Sequence, residues 1–416
     1  MKKIFQALRL ISDNSILPPA DYLFDGQVIQ ELPQGAEYPS DAELLPCEGL
    51  LASRGWIDLR CFVGEPGLES RETFESLGAG LQLGGFCEAV ILPNTHPAIQ
   101  SVNEVAFVQQ RAKELFSTIH VQAAVTKDTF GEDFTEMMDL NHQGVRIFGE
   151  GLQSLSNGDR MMKALQYLKR FGGVLFDHSY DPLLALFGQM HEGTTSTVLG
   201  LKGIPRLAEE TAIDKNLAIL EYTGGRMHFQ ALSTAGGVDK IRKAKRKGLQ
   251  VTADTSIYQL IFDAEDLMDF DTSYKVLPPF RDEADRLALI DGLKDGTIDA
   301  LVSNHIPQDV DAKFMEFDLA PFGMIGLQTF LPAMVYLEEV LGWPLLIQKL
   351  TSGPASVLGL PVDRFDTLTV FDPSAIWEYD LRNNASVSQN SPWLGKSLKG
   401  RVEFMVNKGK FLKVYE

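Results

Sequence analysis

The chain has 416 residues, enough for one large domain with a smaller one, or for two or three domains of ordinary size. Hydrophobic residues make up 44% and charged residues 23%, which is typical of a globular protein that can bury a full core. The formal net charge of −18 repels nucleic-acid phosphates and anionic lipids, so we expect neither as a partner.

The cysteines and the amino-terminal residues indicate a cytoplasmic protein. Cys47, Cys61 and Cys87 are odd in number and share no CxxC spacing, which argues against a disulfide framework. The first residues start basic, but Arg9 and Asp13 break the stretch that follows, so we expect no signal peptide. No run approaches the roughly 18 apolar residues of a membrane span.

Short β-branched runs alternate with helical patterns through most of the chain, for example the helical patterns at 159–171 and 204–222. Eight such strands predict an α/β fold, a (β/α)8 TIM-like barrel. A doubly wound sheet is the competing arrangement, but it usually has fewer strands and often a Gly-rich first turn, which this sequence lacks. The predicted strands lie near 55–60, 88–93, 120–125, 144–149, 173–178, 226–232, 249–254 and 300–305.

Both ends of the chain carry a different pattern of short alternating runs, such as QALRLI, TLTVFD and VEFMVNKGKFLKVY. These runs are typical of strands in an antiparallel sheet. We therefore predict that residues 1–54 and 365–416 together form a small antiparallel β domain, a β-sandwich, and that residues 55–364 form the barrel. The distinction matters because the reactive groups of a barrel lie at the carboxyl ends of its strands.

The segment GWIDLRCFVGEPG at 55–67 resembles the opening of dihydroorotases of the amidohydrolase superfamily, G-[FW]-I-D-L-H-x-H-x-R-E-P-G. PNTHP at 93–97, GLKGIPRLAEE at 200–210, KVLPPFR at 275–281 and GLQT at 326–329 continue the match in the same order. The resemblance covers nearly the whole chain and is to the multifunctional-complex type. It implies an ancestry in which two divalent metals, usually zinc, hold a hydroxide that attacks the amide carbonyl of a cyclic substrate.

The resemblance also implies that most of the reactive residues have been replaced. Arg60 and Phe62 stand where the family has its first pair of metal-binding histidines, and neither side chain can bind zinc. Ala231 stands at the position of a further histidine ligand on the sixth strand. Asn304 stands at the position of the aspartate that binds metal and acts as general base, and an amide cannot accept that proton.

A few residues of the family pattern remain. His178 keeps the histidine of the fifth strand, and Glu150 aligns with one of two acids, while Gly149 stands at the other. Asn94 remains as a vestige of substrate binding, although Gly64 replaces the arginine that clamps the substrate carboxylate. Stable catalytic zinc sites use at least three protein ligands, so we expect no bound cofactor. The plainer interpretations are a satisfied polar residue near the barrel mouth for His178 and a solvated or ion-paired residue for Glu150.

Other chemically capable residues have plainer interpretations. His305 follows Asn304 and suggests an acid/base pair, but hydrogen-bonded packing explains it better. Cys61 points away from its neighbours Arg60 and Phe62, which predicts burial under a helix. Lys127 aligns with an ordinary segment at strand three, so we reject it as a carbamylated lysine. The basic run from Lys240 to Lys247 predicts an exposed helix end, with phosphate binding as the alternative.

The leading hypothesis is a non-catalytic dihydroorotase homologue. In several bacteria, inactive barrels of this kind assemble with aspartate carbamoyltransferase and support its oligomer, so we expect that partner and a homo- or hetero-oligomeric state. The rival hypothesis is an active cyclic amide hydrolase, a dihydroorotase with a site rearranged around Glu150, His178 and His305. A pocket that binds a metabolite without reacting it is a third interpretation.

Overall fold

The structure is a computed structural model and describes residues 2–13, 15–362 and 365–415. The strands are β1 (Lys3–Leu10), β2 (Ala20–Phe24), β3 (Ile29–Glu31), β4 (Glu43–Pro46), β5 (Leu51–Ser53), β6 (Trp56–Cys61), β7 (Phe86–Ile91), β8 (Thr118–Ala123), β9 (Ile147–Phe148), β10 (Val174–Asp177), β11 (Met190–His191), β12 (Gly203–Ile204), β13 (Met227–Phe229), β14 (Val251–Ser256), β15 (Ala300–Val302), β16 (Thr367–Tyr379), β17 (Lys396–Asn407) and β18 (Lys410–Lys413). The helices are α1 (Phe74–Gly84), α2 (Val102–Ala112), α3 (Met137–His142), α4 (Gly158–Lys169), α5 (Thr194–Leu199), α6 (Arg206–Thr223), α7 (Ala235–Arg246), α8 (Glu283–Lys294), α9 (Val310–Lys313), α10 (Phe330–Leu341), α11 (Trp343–Gln348) and α12 (Ser352–Leu358).

Eight of the strands form a parallel sheet in the order β6-β7-β8-β9-β10-β13-β14-β15. A parallel bridge between Cys61 and His305 brings the first and last of these strands together. The order in the sheet follows the order in the chain, so the carboxyl ends of all eight strands lie at one face. The predicted barrel is confirmed, and the doubly wound alternative is wrong because the sheet closes on itself.

The barrel elements follow from local sequence features. Every residue of β6 and of β7 is buried, as expected for parallel strands that are covered on both faces. Helix α1 begins at Thr73, whose hydroxyl and the Ser76 hydroxyl form a reciprocal capping box. It ends at Gly85 with φ of 86°, a left-handed conformation that glycine adopts without strain. These caps fix the position of the chain between the first two strands.

The remaining strands from both termini form a second sheet in the order β18-β17-β16-β5-β1-β2-β3, with β4 beside β1. Its pairings are antiparallel except that β1 runs parallel to β4 and β5. A register shift between Phe5 and Leu8 lets β1 take part in both halves of this sheet, and Phe5 packs against Phe404 and Phe411 in its core. The predicted boundary after residue 364 adjoins residues 363 and 364, which lie outside the described part of the chain.

Two further sequence predictions concern the cysteines and membrane-spanning segments. Cys47, Cys61 and Cys87 are all buried free thiols, in agreement with the absence of a disulfide framework. Among the described residues, no helix combines the length and the apolarity that crossing a bilayer requires.

Candidate functional site

The residues that the sequence places at reactive positions converge at the carboxyl ends of the barrel strands. Arg60 is the penultimate residue of β6, and Glu150, His178 and Asn304 follow β9, β10 and β15 by one or two residues. All of them are at least nine-tenths buried. The mouth of the barrel is therefore closed by side chains at the level where a reactive centre would lie.

The guanidinium of Arg60 occupies the centre of this mouth and is fully buried. Its Nε–H donates to Asn304 Oδ1 at 2.9 Å, and its Nη1 donates to Gln230 Oε1 at 2.9 Å and to the carbonyl of Gly151 at 3.2 Å. Its Nη2 lies 3.4 Å from Nδ1 of His178. The planar fork of arginine donors thus joins the ends of four other strands to β6.

Charge and burial determine the protonation states around Arg60. Burial lowers the pKa of Arg60 to about 10, so the guanidinium is still protonated at neutral pH. Burial, and then the charge of Arg60, hold the pKa of His178 well below its usual value, so the imidazole is neutral. The site therefore holds a fixed positive charge beside a neutral histidine, which disfavours any additional cation.

Phe62 fills the second family ligand position with an aromatic ring. It is fully buried against Leu92 and Ile306, and the guanidinium of Arg71 lies 4.1 Å from its ring centroid. The apolar packing offers no donor atom to a metal. At this position the mouth of the barrel is filled by apolar packing.

Glu150 is buried and lacks a charged partner at hydrogen-bond distance. Its Oε1 accepts hydrogen bonds from the backbone N–H of Thr126 at 3.0 Å and from the Thr126 hydroxyl at 2.9 Å, while Oε2 has no hydrogen-bond partner. Burial raises the pKa of Glu150 to about 8, so the carboxyl is largely protonated at neutral pH. A protonated carboxyl is a poor metal ligand because the ligand form is the carboxylate.

The neighbouring residue cannot regain an acid without movement of the backbone. A Cβ atom at Gly149 would lie 2.1 Å from the carbonyl oxygen of Phe176 and 2.5 Å from Nε2 of Gln122. Both distances are shorter than van der Waals contact. The loss of a side chain at position 149 is therefore built into the packing of β9 against β10.

Ala231 and Asn304 keep an unusual backbone conformation, with φ of 54° and 46°. Such left-handed geometry strains residues that have a Cβ atom, by about 1 kcal/mol or more. Ala231 donates its backbone N–H to Asp254 at 2.5 Å, and Asp254 is 2.8 Å from Nε2 of the buried His228. The hydrogen bond to Asp254 holds the backbone at Ala231 in place, although neither a methyl group nor an amide side chain is a good zinc ligand.

His305 has a structural role, as its packing interpretation predicted. Its Nδ1 accepts the backbone N–H of Gly326 at 3.2 Å, so Nε2–H donates to the buried carboxylate of Glu72 at 3.0 Å. Glu72 also accepts a hydrogen bond from Ser386 at 2.5 Å. This arrangement links the barrel to the carboxyl-terminal segment.

Asn94 is engaged in hydrogen bonds within the protein. Its Nδ2 donates to the carbonyl of Glu150 at 3.0 Å and lies 3.3 Å from the Thr129 hydroxyl, and its Oδ1 accepts the Leu152 N–H at 2.8 Å. The residue fastens the loop after β9 to the loop after β7. Its vestigial role in substrate binding stays a prediction.

The sequence did not identify Gln230 as a partner of Arg60, and no motif distinguishes it. It lies one residue before Ala231, and its Oε1 is the acceptor described above, while its Nε2 has no partner in the described structure. Only the alternation of side chains along a strand indicates that Gln230 faces inward. The position of Arg60 opposite it depends on the closed barrel.

The donor set at the mouth does not fit a pair of divalent metals. A guanidinium, a phenyl ring, a methyl group and an amide stand at Arg60, Phe62, Ala231 and Asn304. Within the described residues, a possible cation-binding group is instead His191, Asp282 and Asp285. Arg206 donates to both of those aspartates and the Arg281 guanidinium lies 3.3 Å from Nδ1 of His191, so this group is already neutralised by arginines.

Comparisons with known proteins identify the family and the fold of the chain. The Dihydro-orotase-like family profile matches residues 49–236. A dihydroorotase of Geotalea daltonii is 35% identical over 390 residues, covering 92% of each chain, and one of Pelotomaculum thermopropionicum is 36% identical over 389 residues, covering 91% of this chain and 90% of the relative. The L-hydantoinase (dihydropyrimidinase) of Arthrobacter aurescens superimposes with a TM-score of 0.86 at 19% identity, covering 99% of this chain and 96% of the other. At that identity the last likeness concerns the fold alone.

Proposed function

This chain belongs to the dihydroorotase family, and we propose that it is a non-catalytic member that acts in the cytoplasm as an assembly partner of aspartate carbamoyltransferase. The observation that carries the first part is the buried guanidinium of Arg60, hydrogen-bonded to Asn304, Gln230 and Gly151 at the place of the family's metals. The guanidinium occupies the space that two divalent metals would need, and its positive charge repels them.

The remaining groups do not replace the missing chemistry. Hydrolysis of a cyclic amide requires an activated water and a base for its proton. Asn304 cannot accept a proton, Glu150 is largely protonated near neutral pH, and His305 is held by Gly326 and Glu72. No hydrogen bond in the described structure joins Glu150, His178 and His305 to one another, so the rearranged hydrolase site gains no support.

The proposed assembly role is supported by the completeness of the fold. The barrel, its strained strand ends and the terminal sheet are complete in the described residues, although the side chains of the reactive centre have changed. Selection on an interface preserves a fold without preserving its chemistry. The identity of the partner comes from the resemblance to inactive barrels that assemble with aspartate carbamoyltransferase.

The test combines metal content, activity and assembly of the purified full-length protein. We expect no stoichiometric zinc by elemental analysis and no hydrolysis of dihydroorotate with zinc added. We also expect a stable complex with the aspartate carbamoyltransferase of the same organism by light scattering. Tightly retained zinc together with turnover would overturn the proposal and favour the active hydrolase. An inactive protein that forms no complex would retain the first part and remove the second.

A further inference from the structure

We propose that the loops at the mouth of the barrel form a docking surface for a protein whose contacting face is apolar and positively charged. We call this surface the rim and define it as residues 124–136, 178–205, 257–282 and 303–329, which follow β8, β10, β14 and β15. For the identity of the partner, the inference rests on the function proposed above. The location and the chemistry of the surface are argued from the rim itself.

The rim exposes large apolar side chains to solvent. Phe314 is 82% exposed, Leu183 79% and Phe130 77%. Such side chains are costly to leave in water, and clusters of them at a protein surface mark interaction sites. The rim residues that are at least 60% exposed are Phe130, Leu183, Phe187, Val198, Leu319 and Phe314.

Three of the four rim loops are held to one another, the second to the third where Arg281 Nη1 donates to the carbonyl of Ile204 at 2.8 Å, and the third to the fourth. Phe270 of the third loop contacts the ring of Phe317 in the fourth at 6.1 Å, and the Thr272 hydroxyl donates to the carbonyl of Lys313 at 2.7 Å. The Lys313 ammonium in turn donates to the carbonyl of Thr272 at 2.7 Å. These contacts pre-order the loops and lower the entropy lost when a partner binds.

The charge of the rim selects the kind of partner. Thirteen Asp and Glu residues of the rim are exposed, for example Asp269, Glu316 and Asp318, against the exposed Lys127 and Lys202. Complementary charge steers association, and like charges oppose it. A second copy of this face, a nucleic acid and an anionic membrane are therefore disfavoured, and a basic protein surface is favoured.

The side chains that fill the mouth of the barrel leave no space beneath the rim loops for a substrate. Arg60 and Phe62 are fully buried beneath the rim and fill the centre that the loops of an enzyme would cover. Loops at this face of a barrel ordinarily serve the active site. In this chain their apolar side chains are free to serve a partner.

The experiment compares two triple variants of the full-length protein with wild type. The rim variant carries Leu183→Ser, Phe187→Ser and Phe314→Ser. The control carries Tyr222→Ser, Tyr336→Ser and Ile376→Ser, which are 77%, 65% and 73% exposed on α6, α10 and β16. Affinity for purified aspartate carbamoyltransferase of the same organism is measured by calorimetry at low and high salt, and circular dichroism confirms that each variant is folded.

We expect the rim variant to bind at least about tenfold more weakly, the control variant to bind like wild type, and wild-type affinity to fall as salt rises. Equal binding by both variants and wild type would overturn this inference and leave the proposed function intact. No binding by wild type would overturn the assembly part of the proposed function and this inference together. If the rim variant does not fold, hydrogen exchange of the wild-type pair decides instead. Protection of the rim loops supports the inference, and protection only elsewhere refutes it.

Discussion

Replacement of Arg60 by methionine tests whether its guanidinium holds the mouth of the barrel together. Arg60→Met keeps most of the volume but removes every donor, so Asn304 Oδ1, Gln230 Oε1 and the Gly151 carbonyl lose their partner. Each unsatisfied buried acceptor costs about 1–3 kcal/mol. Part of this loss is offset because the variant no longer buries a charged group, which is unfavourable in itself. The net expectation is a loss of about 3 kcal/mol in the free energy of unfolding.

The assay is unfolding in urea followed by circular dichroism, with Arg382→Met as the matched control. Arg382 is 89% exposed and contacts only Asp380 among the described residues, so its replacement should leave the free energy of unfolding close to that of wild type. Arg60→Lys keeps the charge but not the planar fork, and should fall between wild type and Arg60→Met. A variant Arg60→Met that is as stable as wild type would refute the role assigned to the guanidinium.

Two further predictions concern the loop after β9. Because burial raises the pKa of Glu150 to about 8, well above that of an exposed glutamate, folding favours its protonated form, and wild-type stability should decline as pH rises from about 4 to 8. Glu150→Gln keeps the acceptor for Thr126 but cannot ionise. The difference in unfolding free energy between this variant and wild type should therefore favour the variant by at least about 1 kcal/mol more at pH 9 than at pH 6. An equal difference at both pH values would contradict the raised pKa of Glu150. Gly149→Ala places a methyl group against the Phe176 carbonyl and should cost about 3 kcal/mol in urea unfolding. Gly158→Ala, whose Cβ would have an ordinary contact of 3.6 Å, should be tolerated, and equal effects of the two would show that the backbone adjusts easily.

Contacts between strand ends hold the backbone at the mouth of the barrel. Ala231 and Asn304 adopt left-handed conformations, with φ of 54° and 46°. Each is now tied to a neighbouring strand by a hydrogen bond, Ala231 to Asp254 and Asn304 to Arg60. A single arginine, Arg60, thus joins several strand ends at the mouth of the barrel through its guanidinium.

The sequence alone determined the order of the barrel strands, and its resemblance to the family predicted which reactive residues are replaced. Strand order follows from hydrophobic periodicity, which is local, and each of the eight predicted strands overlaps an observed one. That Arg60, Phe62 and Ala231 cannot bind zinc, and that Asn304 cannot act as a base, follows from the chemistry of each side chain. Neither conclusion required knowledge of spatial neighbours.

The tertiary structure alone decided what fills the mouth and what surrounds it. Asn304 and Gln230 are 244 and 170 residues from Arg60 in the chain, so their hydrogen bonds to its guanidinium have no local signature. The protonated state of Glu150 depends on burial, which arises only when the loops after several strands close over it. The exposure of Phe314 and Leu183 on one face is likewise invisible in sequence, because apolar residues are normally expected in the core. The chemistry of a single side chain can be predicted from the sequence. The protonation state of a buried group, its hydrogen-bond partners and the exposure of apolar residues arise from contacts between distant segments.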